Sequence, residues 1–217
     1  MKKYILLFDF GHGTRKYTKG KHSPDYKLVN GEKVYSLYEG EWVREVGRRI
    51  VEQMKELGVD CRIIVPEDKD ISLTERCNRA NKIVRDNPDA QCLFISVHIN
   101  AASDDGQWHD ASGVTVWVSK SNASNTSKEL ARTLYNSAVD FGLKGNRSVP
   151  RERYWQANFT VVHNTNCPAV LTENLFMDNR KELQFLLSEE GKETIVNYHV
   201  AGLCKFMGIP CGVVIDN

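Results

Sequence analysis

Cys92-Leu93-Phe94-Ile95-Ser96-Val97 is a nearly continuous apolar run that stops at His98, ahead of the polar stretch Asn100–Ser112. Such a run reads as a strand covered on both faces, which is the signature of a parallel sheet with helical crossovers. The remainder of the chain supplies the other parts. Residues 3–10, Val59–Val65, Gly113–Val118, Phe159–His163 and Ala169–Thr172 read as further short strands. Between them the period changes to three and four. Val43, Val46, Ile50, Met54 and Leu57 predict a helix over Glu39–Leu57, closed by Gly58. Leu73, Cys77, Ala80 and Val84 predict one over Ser72–Arg85, stopped by Asn87-Pro88. Two more are expected over about 126–141 and 189–207. The alternation predicts an α/β fold: a single domain with a twisted, mostly parallel (mixed) sheet of about six strands and helices on both faces. No repeat, low-complexity tract or linker divides residues 1–217.

Composition excludes several classes. The chain has 217 residues with 29 basic and 28 acidic side chains, a net charge of +1, so the basic footprint of a nucleic-acid binder is missing. With 41% hydrophobic residues it is no disordered chain. The apolar run Tyr4–Phe8 stops at Asp9, short of the roughly 20 residues of a membrane span. It is also too short for the apolar core of a secretory signal. The expectation is a monomer made and retained in the cytoplasm unless something releases it. Six cysteines without a C-x-x-C pair argue against both a disulfide scaffold and a cysteine zinc site. Residues 14–38 show no period, and a loop of that length in a compact domain is functional or disordered. Its Tyr17, Tyr26, Tyr35 and Tyr38 either line a binding surface or are simply exposed.

Ligands of open α/β sheets bind at the carboxyl ends of the strands. His12, His98 and Glu173 stand at or just past such ends, and Glu39 opens the first helix on the same edge. Two imidazoles and a carboxylate with one open position make a catalytic zinc site, and a further acidic residue can serve it as general base. Each also has a plainer reading. His12 between two glycines suits a turn, His98 a hydrogen-bonded core, Glu39 a helix N-terminus, and Glu173 a buried carboxylate with a partner. His22 and His109 lie in polar loops and read as solvated, His199 as packed, and His163 as near the rim.

In order along the chain, Asp9-Phe10-Gly11-His12-Gly13, Glu39, Ser96-Val97-His98-Ile99-Asn100-Ala101 and Pro168-Ala169-Val170-Leu171-Thr172-Glu173-Asn174 carry a resemblance. Together with Leu73-x-x-Arg76-x-x-x-Ala80-Asn81 they resemble the zinc-dependent N-acetylmuramoyl-L-alanine amidases of autolysins, sporulation and phage endolysins, over about residues 5–205. The resemblance implies Zn²⁺ on His12, Glu39 and His98, with Glu173 as catalytic acid/base. It implies a peptidoglycan or muropeptide substrate cut between N-acetylmuramic acid and L-alanine, by an enzyme that reaches the wall after release. Phe10 and Thr14 depart from the Pro and Gly common in the family without removing a coordinating atom. The spacing of Val43, Val46 and Ile50 favours Glu39 over Glu41. Asp9 and Asn100 are candidates to orient a ligand imidazole, and the aperiodic stretch 143–157 is expected to leave the site open. Competing readings are a non-catalytic muropeptide-binding module and a zinc hydrolase of another small amide.

Overall fold

The computed structural model describes residues 3–213. In chain order the elements are β1 (Tyr4–Phe10), β2 (Tyr26–Val29), β3 (Glu32–Tyr35), α1 (Glu39–Glu56), β4 (Asp60–Ile63), α2 (Leu73–Asp86) and β5 (Gln91–Asn100). They continue with β6 (Thr115–Val118), α3 (Asn125–Asp140), β7 (Trp155–Gln156), α4 (Thr160–His163), β8 (Ala169–Phe176), α5 (Arg180–Leu187) and α6 (Glu189–Met207).

The period of two in β1 explains the layering. Leu6, Phe8 and Phe10 enter one core, shared with Val46 and Ile50 of α1, Leu134 of α3 and Leu203 of α6. Ile5 and Leu7 enter a second, smaller core with Cys77 and Ala80 of α2 and Val161 and Val162 of α4. A strand apolar at every position from Ile5 to Phe8 therefore sits between two helical layers. β5 divides its side chains in the same way, Leu93, Ile95 and Val97 to the first core and Cys92 and Phe94 to the second.

The sheet order is β4-β1-β5-β8-β6-β7. β4, β1, β5 and β8 run parallel, β6 runs antiparallel to β8, and β7 follows β6. The architecture is the expected single mixed α/β unit. Among the described residues all six cysteines are free thiols, and no helix is long and apolar enough to cross a membrane.

Three local expectations are corrected. Phe159–His163 is not a strand: Thr160–His163 is one helical turn, and the sixth strand is the two-residue β7. Both Val161 and Val162 are buried in the second core, which a single turn achieves and a strand with alternating faces does not. The aperiodic stretch 14–38 contains a hairpin, β2 paired with β3 around Asn30 and Gly31 at φ 50° and 80°. Two consecutive left-handed residues make the tight hairpin turn that Asn-Gly favours. The short α5 was not anticipated; Asn179 caps it, its side chain accepting from Lys181 N at 3.0 Å and Glu182 N at 3.2 Å.

Candidate metal centre

The carboxyl ends of β1, β5 and β8 share one edge of the sheet, because these strands are parallel. Beyond β1, Gly11 N donates to Val97 O at 3.1 Å and extends the ladder by one bond. His12 then takes a left-handed φ of 56°, which turns the chain. Two buried arginines hold this turn. Arg76 donates from Nη1 to Asp9 Oδ1 at 2.7 Å and to Phe10 O at 2.6 Å, and its Nη2 lies 3.5 Å from His12 O. Arg44 donates from Nη1 to Gly40 O at 2.7 Å and reaches Gly11 O at 3.4 Å. Each guanidinium gathers backbone carbonyl oxygens of or beside this loop.

Two glycines let the layers approach. A Cβ on Gly11 would lie 2.4 Å from His98 Cε1, and one on Gly40 would lie 1.8 Å from Gly13 O. Gly40 thus seats the first turn of α1 against the His12 loop. Glu39, the first helical residue, is buried and faces both histidines. Its Oε1 is 3.0 Å from His98 Nδ1 and accepts from Ile99 N at 3.1 Å; its Oε2 is 3.4 Å from His12 Nε2. The imidazoles meet edge to face with centroids 5.2 Å apart. One ligating atom from each of His12, Glu39 and His98 lies within 4.8 Å of the other two. Glu41 points elsewhere, half-exposed and 3.4 Å from Arg15 Nε.

Glu173 pairs in register with His98 on the adjacent strand, so the two side chains share a face. Directly afterwards the register shifts, Asn100 pairing with Phe176, and Leu175 adopts φ 65°. This bulge shifts the pairing of the last residues of the strand directly after Glu173. Asn174 repairs the interrupted ladder by donating from Nδ2 to His98 O at 2.8 Å. α6 supports it from behind: the Tyr198 hydroxyl donates to Asn174 Oδ1, and Thr172 Oγ1 donates to His199 Nε2 at 3.1 Å.

The electrostatics are those of a crowded, dehydrated cluster. Burial would lower His98, but the carboxylate of Glu39 against its Nδ1 reverses the sign and lifts it to about 8. Burial opposes ionisation of Glu39 too, yet its bond to His98 and the His12 charge hold it below its ordinary value. His12 is lowered by burial. Glu173 is raised to about 7, by burial first and by the Glu39 charge; His98, Lys21 and Arg147 pull it back. Its Oε2 is shut from solvent without a hydrogen-bond partner.

The other candidates fall elsewhere. Asp9 is fully occupied by Arg76 and by Ser96 Oγ at 2.6 Å, and Asn100 Oδ1 accepts from Ala101 N at 2.9 Å, so neither is bonded to an imidazole. His163 lies 3.1 Å from Ser119 Oγ, just past the end of β6. Since β6 is antiparallel to β8, that is the opposite edge of the sheet, not the rim of the cluster. His22 is stacked on Tyr35 with centroids 3.4 Å apart, not simply solvated. His109 is 3.1 Å from Asp105 Oδ1, and His199 is buried as expected. Residues 143–157 form no helix, and the His12 side chain remains 26% exposed. Lys21 and Arg147, both exposed and both acting on Glu173, were not anticipated. Arg147 also lies 5.9 Å over the Phe176 ring, and the polar setting of both residues gave no signal.

Two imidazoles and a carboxylate around one point are the donor set of a catalytic zinc site. The unpartnered Glu173 oxygen beside them fits a group that exchanges protons there.

Comparison with known proteins gives a consistent picture. Residues 6–205 match the family described as N-acetylmuramoyl-L-alanine amidase. The chain is 27% identical over 214 residues to the endolysin of Bacillus phage SPP1, covering 96% of this chain and 68% of that protein. It is 30% identical over 138 residues to the amidase CwlM of Bacillus licheniformis, covering 64% of this chain and 47% of that one. Among solved structures, an N-acetylmuramoyl-L-alanine amidase from Clostridium difficile 630 superposes with TM-score 0.72 at 25% identity, over 96% of this chain and 98% of that chain. Ami1 of Mycobacterium smegmatis, at 16% identity and TM-score 0.74, shares the fold.

Proposed function

Because the chain belongs to the N-acetylmuramoyl-L-alanine amidase family and is an amidase of peptidoglycan, we propose that it works with Zn²⁺ held by His12, Glu39 and His98 and with Glu173 as its acid/base. The observation that carries this reading is the meeting of the three ligating side chains within 4.8 Å beside a carboxyl oxygen that has no other partner.

Zinc in such a site lowers the pKa of water towards neutrality and polarises a carbonyl. The chain does the rest. Gly11 leaves room for the His98 ring, and Arg44 and Arg76 fix the loop that carries His12. Glu39 presents its carboxylate from the first turn of α1. Glu173, raised to about 7 by burial, can hold a proton or yield one near neutral pH. It takes a proton from the attacking water and delivers it to the nitrogen of the departing L-alanine. The bond broken is the amide between the lactyl group of N-acetylmuramic acid and that alanine. A lytic, endolysin-like role after release from the cell that makes the protein accords with the name of the phage relative.

The test is metal analysis joined to mass spectrometry of digested peptidoglycan. Glu173→Gln keeps one zinc and loses roughly 10²–10⁴-fold in turnover; His12→Ala loses the metal. Wild-type digests release stem peptides with a free L-alanine amine. Near-normal hydrolysis by Glu173→Gln, or products cut at another bond, overturns the assignment.

A further inference from the structure

The net charge of +1 conceals a segregation. Residues 15–38 hold six of the 29 basic side chains and two of the 28 acidic ones, so this segment stands at +4 and the remainder at −3. The same segment holds four of the eight tyrosines. Folding gathers the aromatics. His22 stacks on Tyr35 at 3.4 Å, Tyr38 meets Tyr35 edge-on at 5.9 Å, and Tyr26 packs against Tyr35 across the hairpin at 5.7 Å. His22, Tyr35 and Tyr38 border a cavity of about 630 Å³ that Arg15, Lys19 and Lys33 also line, together with Glu32. Among the described residues none of the five lysines of this segment forms an ion pair with a carboxylate. Every residue of β2 is exposed, including Tyr26 at 46%. Like charges collected on one segment repel each other and cost stability unless something opposite in sign approaches.

The position of this surface is fixed relative to the metal cluster. Lys21 O accepts from the backbone N of Glu39, and Tyr38 immediately precedes that residue. Both flanks of the hairpin are therefore anchored beside Glu39.

We propose that residues 15–38 form a second binding surface, for a phosphodiester-linked, sugar-containing polymer of the cell wall. Aromatic faces suit sugar rings, and the exposed lysines suit anionic groups repeated along a chain. Five of the six cations are lysines, compact point charges that can pair with phosphates without a fixed bidentate geometry. A nucleic acid would also satisfy cations beside aromatics; the wall polymer is preferred because the surface is anchored beside Glu39, and this choice rests on the amidase reading above. The surface holds the enzyme on polymer-bearing wall while the cleft meets successive stem peptides.

The experiment measures retention on purified wall by sedimentation, in a Glu173→Gln background that leaves the wall intact. Wall carrying its phosphate polymers is compared with wall from which hydrofluoric acid has removed them. Retention on intact wall is expected to fall with added salt and to drop roughly tenfold in the triple variant Lys19→Gln, Lys27→Gln, Lys33→Gln. Stripped wall is expected to hold the unsubstituted surface no better than the triple variant is held by intact wall. The three lysines, placed back in the catalytically complete protein as glutamines, should leave turnover of a small soluble muropeptide within about twofold. Equal retention on intact and stripped wall, or equal retention of the triple variant, overturns the proposal. So does equally tight binding of single-stranded DNA at matched salt, which would make the surface a general polyanion binder. Muropeptide turnover reports separately on the amidase reading: its absence from the catalytically complete protein counts against that reading, whereas lost retention counts against the surface.

Discussion

Gly11 shows how little volume the metal cluster has to spare. Adding one methyl there places carbon 2.4 Å from the His98 ring, and the ring is the only part of that contact free to move. Gly11→Ala should therefore fold yet lose metal retention, with at least about 10²-fold loss of activity from a ligand displaced by an ångström; metal content per folded chain checks it. His199 supplies a separate, pH-dependent term. Burial lowers it to about 4, so it is neutral in the fold and charged in the unfolded chain between those values. A depressed folded value means that stability is full above about 6.5 and drains away as pH falls towards 4, by up to about 3 kcal/mol. Urea unfolding at stepped pH should show this slope, and His199→Gln should flatten it. Residues of the cluster were legible because each punctuates an element: His12 and His98 end apolar runs, Glu39 opens a helix, Glu173 ends the run from Pro168. Arg44 was not, because a buried arginine that collects carbonyl oxygens looks in sequence like one more polar residue on an amphipathic helix.

At the scale of elements, the link between β1 and α2 holds the site loop in place. Asp9 and Arg76 are both buried, 2.7 Å apart, and if the carboxylate goes the buried guanidinium loses its close counter-charge and keeps the carbonyl oxygens of Phe10 and His12. Removing one member of a buried pair strands the other, so Asp9→Ala should cost about 3–5 kcal/mol, measured by chemical denaturation. Loss under about 1 kcal/mol would mean that water or Asp70, 3.2 Å from Arg76 Nη2, replaces the partner. The long helices α1, α2, α3 and α6 were readable to within a residue or two, since three or more turns of periodic apolar side chains leave little ambiguity. Short elements were not. β-branched Val161 and Val162 favour a strand locally, and only their shared burial makes one helical turn the better solution. The hairpin was announced by Asn30-Gly31, but its strands are four residues each and largely exposed, so no apolar alternation accompanied the turn.

For the whole molecule, the cluster joins three separate parts: the loop after β1, the first turn of α1, and β5. An ion bound there stabilises the folded chain alone, by about 4 kcal/mol when present at 1,000 times its Kd. Dialysis against a chelator should lower Tm by on the order of 10 °C, and added zinc should restore both Tm and hydrolysis. An unchanged Tm would mean that the three side chains hold no ion. The order of strands also has a consequence for synthesis. β8 lies between β5 and β6, yet it leaves the ribosome after both. A nascent chain that has not yet emitted residues 169–176 has a gap at the centre of its sheet and lacks the Glu173 carboxyl altogether. With the acid/base role proposed for Glu173, a chain released before that strand is made lacks the group that would complete amide hydrolysis.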